Sequence, residues 1–280
     1  MQKVVYSPHP QVKNPILLFR AMFSDLIKGR DLGWQLFLRD LRSQYRQSLL
    51  GYFWVFLPPI GLTITFVYLN REGLMQVQET PVPYAAFVMV GTLLWQAFVD
   101  ALNAPLRILN SNKVMLVKIN FPREALMLTC FYSIVFNMLI RLVLLLPVFL
   151  YYRLDFNWDV MLFPLGFMGL ISVGFALGIL LVPPGLLYQD VGRGIAMTIS
   201  FWMYLTPVLY PPSSEGLAAQ VARFNPVSPV LVTARDWLLC QPPSLLTEFY
   251  TVSGASLLLL LFAWAIYRIS LPHLIARMGM

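Results

Sequence analysis

Long apolar runs, nearly free of charge, constrain this chain more than any other feature. Six of them lie at about 49–69, 84–103, 125–151, 160–183, 195–209 and 251–269. A helix rises about 1.5 Å per residue, so about 20 apolar residues cross the hydrocarbon core of a bilayer. The fifth run is short and stops at Pro207. It needs a thin local bilayer or a neighbour that shields its ends. Charged residues make up 12% of the 280 positions, against roughly 25% in a soluble domain. So little polar surface cannot cover a globule in water. The expected fold is an all-α membrane protein of six transmembrane helices.

Charge sets the orientation. No signal-peptide pattern opens the chain, so the N-terminus is expected to stay in the cytoplasm. Six spans then place 15 of the 20 Lys and Arg residues inside, counting Arg268 at the inner end of the sixth run, and four outside, with Arg141 within a span. That bias obeys the positive-inside rule and puts both termini in the cytoplasm.

Residues 1–48 form an arm that does not span. Asn14-Pro15 reads as a helix cap followed by proline at the first helical position. Ile16, Phe19, Met22, Phe23 and Leu26 recur at helical spacing, and Gly29 stops the run. A second helix follows from Asp31, with Trp34, Phe37, Leu38, Leu41 and Tyr45 on one face. Gln35, Arg39, Arg42, Ser43 and Arg46 lie on others. This is an interfacial amphipathic pattern. It fits a membrane anchor alone, or a lever beneath a pore that touches a soluble partner.

Two further segments stand out. The inside loop 104–124 carries Arg107, Lys113, Lys118 and Arg123 among apolar residues, with a turn expected at Ser111-Asn112-Lys113. Phe121-Pro122 breaks the pattern before Glu124. The loop fits either simple packing or a docking helix for another protein. The outside segment 210–240 is Pro-bounded and apolar, with short helices expected at about 213–223 and 228–239 and Pro229 in the first turn of the second. Helices too short to span fit a re-entrant pair or an outer cap. The final residues, 271–280, read as a cytoplasmic tail.

Asp100 and Arg141 are the two clear intramembrane charges, and such groups face a cavity or a partner. Asp100 falls near the inner end of the second span and Arg141 far above the inner end of the third. The implied depth difference is roughly 20 Å, so the two are not expected to pair. Catalytic signatures are missing. There is no G-x-x-x-x-G-K-[ST] loop for ATP and no H-E-x-x-H or paired-Cys motif. His9 and His273 lie near the termini, and Cys130 and Cys240 suggest neither a metal site nor a disulfide framework. No catalytic residue, metal or nucleic-acid partner is expected.

Five motifs in order resemble the permease subunit of ABC-2-type exporters of lipid-linked polysaccharides, the family of O-antigen, capsule and teichoic acid exporters. The first runs through Arg39-Asp40, Tyr45-Arg46-Gln47-Ser48, Leu50-Gly51, Trp54 and Pro58. The second is Asn120-Phe121-Pro122-Arg123-Glu124. The third is Tyr188-Gln189-Asp190-Val191-Gly192, where Gln189 replaces the family's usual Arg. Thr206-Pro207-Val208-Leu209-Tyr210-Pro211 and Asn225-Pro226-Val227-Ser228-Pro229 complete the set. The likeness covers about residues 35–270.

The resemblance implies a homodimer in a bacterial inner membrane. Two separate nucleotide-binding subunits would hold ATP and Mg. The interface helix would lie at the cytoplasmic mouth, with Gly51 permitting its junction to the first span. Arg39, Arg42, Tyr45 and Arg46 would meet the diphosphate headgroup of the substrate, because arginine matches phosphate geometry. Arg107, Lys113, Lys118, Pro122, Arg123 and Glu124 would form the coupling region. Trp54, Tyr68, Trp95, Phe131, Tyr132 and Trp202, with Arg141, are candidates for a channel wall, although aromatic residues also gather at bilayer interfaces. Rival readings are a teichoic acid exporter, an exporter of a small lipid or drug, and, in another class, a membrane-bound glycan transferase or polymerase.

Overall fold

Pro15 opens the first helix, as its fixed φ and missing N–H allow. In the computed structural model, the described residues are 15–45, 53–74, 79–119, 121–153, 157–212, 220, 222 and 224–278. They form an all-helical molecule. Helices α1 (Pro15–Lys28) and α2 (Arg30–Tyr45) build the arm, and α3 (Phe53–Arg71) follows. Next come α4 (Tyr84–Ser111), the short α5 (Lys113–Lys118) and α6 (Glu124–Tyr152). A 3-10 turn at Trp158–Leu162 leads into α7 (Phe163–Leu180). Then follow α8 (Val182–Leu187), α9 (Gln189–Leu205), α10 (Val227–Leu238) and α11 (Leu246–Met278). Arg46, Gly51, the side chain of Tyr45 and nearly all of the expected outer helix at 213–223 lie outside the described residues.

Five segments are long and apolar enough to cross a membrane: α3, α4, α6, the 158–180 stretch and α11. The expected fifth span is the 17-residue α9. Several helices outrun their apolar stretches. α4 continues through Pro105 to Ser111, so residues 104–111 are helix rather than loop. The turn falls at Asn112, whose backbone N–H and side-chain amide both donate to the Ile108 carbonyl. α11 carries the chain past Pro272 to Met278, through most of the expected tail.

The core lies where α4 and α7 run side by side in the same direction. Without a hydrophobic drive between helices in lipid, close packing through small residues holds such a pair. A Cβ on Gly178 of α7 would lie 2.4 Å from the Leu102 carbonyl oxygen, and one on Gly91 of α4 would lie 2.3 Å from the Val208 oxygen. Only glycine permits either approach. α10 is buried along nearly its whole length against this core.

The contacts define two ends. At one, Tyr84 donates to the Leu209 carbonyl, and Gly166 abuts Ala234. At the other, the arm, the 112–124 connection and the C-terminal part of α11 meet.

Candidate functional site

The second end contains a cavity of about 540 Å³ between α2, the last turns of α4 and the first half of α6. Helical spacing builds its walls. Phe37, Asp40, Leu41 and Gln44 share one stripe of α2; Arg107, Ile108 and Ser111 share one of α4; Ser133, Phe136 and Asn137 share one of α6. The lining therefore mixes guanidinium, carboxylate, hydroxyl, amide and aromatic groups. Arg39 donates to Asp40 Oδ1 and to Asn112 Oδ1, each at 2.6 Å. The second bond ties the arm to the α4–α5 turn. Arg107 is exposed and forms no ion pair among the described residues. Arg42 is exposed one turn from Arg39.

Beside this cavity, Asp100 and Arg141 do pair, contrary to the depth argument. Arg141 Nη1 lies 2.8 Å from Asp100 Oδ2, and Asn137 Nδ2 donates to the same oxygen at 3.2 Å. Both side chains are well covered, with 7% of Arg141 and 23% of Asp100 exposed. The error came from ending the second span at residue 103. Since α4 continues to Ser111, Asp100 sits well above the turn. Counted from the helix ends, the two positions differ in depth by roughly 9 Å, a gap the side chains close.

A second ionic cluster sits under the arm. Arg268 of α11 reaches Asp25 of α1 at 2.6 Å and also bonds Glu124, the first residue of α6. All three side chains are nearly buried, at 10%, 11% and 3% exposed. Tyr267 donates to the Arg123 carbonyl, and Thr129 of α6 donates to the Gly33 carbonyl of α2. Phe23 packs edge-on against Trp264, one turn from Arg268.

The chain matches the ABC-2 type transporter family over residues 32–239. It belongs to the ABC-2 type transporter family. It is similar to the O-antigen export system permease protein RfbA of Myxococcus xanthus, with 27% identity over 207 residues. That match covers 72% of this chain and 78% of the relative. Two Klebsiella pneumoniae proteins of the same name are 25% and 22% identical over 206 residues, covering 71% of this chain and 76% of each relative.

In this ABC-2 chain the aromatic candidates do not form one wall. Trp95, Phe98 and Trp202 cluster between α4 and α9, and Trp202 Nε1 donates to Asn225 at 3.0 Å. Tyr132 packs with Trp34 and Phe37 of the arm. Phe131 touches Tyr132 but lines a separate apolar cavity with Trp264. Trp54 and Tyr68 project from α3, each more than half exposed.

The coupling candidates also divide. Lys118 is exposed on α5 and Lys113 half-buried, whereas Glu124 is committed to Arg268. Arg107 belongs to the cavity.

Sequence reasoning missed three charged groups: Asp25, Arg268 and Arg235. Arg235 is one of the four charges that the six-span orientation places outside, with Arg71, Arg153 and Arg223, yet it is 1% exposed. It donates to the Pro207 carbonyl at 2.8 Å and sits 3.9 Å above the Phe87 ring. Burial pushes its guanidinium down to about 10, so it stays charged at neutral pH. Its position amid α10's apolar residues was the available signal.

Proposed function

We propose that this chain is the membrane permease of an ATP-driven exporter of O-antigen-type polysaccharide on a lipid diphosphate carrier. Two copies would enclose the path, and α9 would make a sixth crossing beside the five longer segments. Both termini would face the cytoplasm of a bacterial inner membrane. A separate subunit would bind ATP and Mg and press on α5 and the neighbouring arm.

The observation that carries this reading is the mixed lining of the cavity beside the arm. Arg39 and Arg107 supply planar donors that match phosphate oxygens. Phe37 and Phe136 offer flat apolar faces to a sugar ring, while Ser133 and Asn137 offer hydrogen-bonding groups. Arg42, exposed on the same arm, would extend the cationic edge, and the resemblance adds Tyr45 and Arg46 as headgroup candidates. Family membership and the names of the relatives support the same substrate class.

The test is ATPase activity of the chain purified alone and with a co-expressed P-loop protein, with and without lipid-linked glycan. Activity confined to the complex and altered by glycan is expected. A complex indifferent to glycan contradicts the reading. Arg39→Gln with Arg107→Gln should weaken the glycan response at least tenfold while basal ATPase persists.

A further inference from the structure

The Asp25–Glu124–Arg268 cluster does something the cavity does not explain. It joins three parts far apart in sequence: the first arm helix, the residue that ends the α5–α6 connection, and the last helix. We infer that Arg268 is a positioning residue that makes the arm, this connection and the end of α11 move as one body during transport. The inference rests on the exporter reading.

The geometry leaves the arm little independent freedom. A force applied at α5 arrives at Glu124, the first residue of the helix that follows. Arg268 holds that residue and Asp25 together in a nearly dry site, where ionic bonds are strong and an unpaired charge is costly. The second arm helix is fastened to the same stretch of α6. A Cβ on Gly33 would lie 2.9 Å from the Ala125 carbonyl oxygen, and Thr129 bonds the Gly33 carbonyl. Phe37, one turn after Gly33, lines the cavity. Displacement of α5 is thereby delivered to the cavity wall through a rigid connection rather than through a sliding contact.

The experiment uses the exporter complex in proteoliposomes. Arg268→Gln is compared with wild type for basal ATPase, glycan-altered ATPase and export. Basal ATPase should stay within twofold, while the glycan response and export fall at least tenfold. Arg268→Lys, which retains a cation but not the two-pronged geometry, should recover part of both.

Because Arg268→Gln strands two carboxylates and risks misfolding, a second variant carries the test independently. Asp25→Cys with Arg268→Cys, on a background with Cys130→Ala and Cys240→Ser, is joined by a short bifunctional thiol reagent. The unjoined form should share the loss seen in Arg268→Gln, and joining should restore export to within twofold of the Cys130→Ala, Cys240→Ser complex that keeps Asp25 and Arg268. Normal export by the unjoined form, or joining that leaves export as low as before, overturns the inference, because the link between arm and α11 would then not be what transport requires. A fully responsive Arg268→Gln complex overturns it as well. A wild-type complex with no glycan response instead overturns the exporter reading, and this inference with it.

Discussion

Helices α3 and α4 have nearly the same mean hydropathy, yet 78% of the apolar window of α4 is buried inside the molecule and 11% of that of α3. Small residues account for the difference. α4 carries Ala85, Ala86, Gly91, Ala97, Ala101 and Ala104, which let neighbouring backbones approach. Between Phe53 and Arg71, α3 has only Gly61 among glycines and alanines, and nothing lies within 4 Å of where its Cβ would be. α9 resembles α3: Met197, Phe201, Tyr204 and Leu205 are all more than half exposed. Between α3 and α4, hydropathy does not separate the buried helix from the exposed one, whereas the number of small residues does. The α4–α7–α10 group is a packed core, whereas α3 and α9 each leave apolar side chains uncovered within this chain.

The sharpest way to break this contrast is to enlarge one glycine on each side. Gly178→Leu should cost about 3 kcal/mol or more through overpacking, enough to abolish a stable purified protein. Gly61→Leu should stay within about 0.5 kcal/mol, as exposed substitutions do. Thermal unfolding in detergent compares them. Next in size is Arg141→Leu, which leaves Asp100 without its cation and should cost about 3 kcal/mol. Adding Asp100→Leu should recover most of that loss in the same assay.

The outward face is probed by cross-linking. Tyr68→Cys on α3 or Phe201→Cys on α9 should join two copies in membranes, whereas Phe98→Cys in the core should not. An absence of α3 and α9 products would assign that face to lipid. A small gain is expected from Gly192→Ala on α9. No atom lies within 4 Å of its would-be Cβ, so better helix propensity should raise stability by at most about 1 kcal/mol.

Much of this architecture was legible from local pattern. Pro15 and Gly29 marked the ends of α1, and the turn at Asn112 followed from its polar neighbours. What escaped was long-range. Polar residues after 103 signalled departure from the membrane, but helix hydrogen bonding does not stop where the lipid does. Misplacing that end by eight residues separated Asp100 from Arg141. Asp25, Glu124 and Arg268 are distributed across the chain, and no periodicity links them. Arg39 is a headgroup candidate through the family resemblance, and it lies on the cavity wall. Arg107 falls in the expected 104–124 loop, which fits packing or docking alike, because the continuation of α4 into the cavity wall cannot be read from composition.

The most direct test of the exporter account is movement of the glycan itself. The chain and its ATPase partner would be reconstituted into vesicles with the ATP-binding face outward and lipid-linked glycan in the outer leaflet. The account predicts that ATP drives glycan into a compartment protected from an external glycan-degrading enzyme, and that omitting either subunit abolishes protection. Equal protection without ATP, or none from a folded complex that hydrolyses ATP, would contradict it.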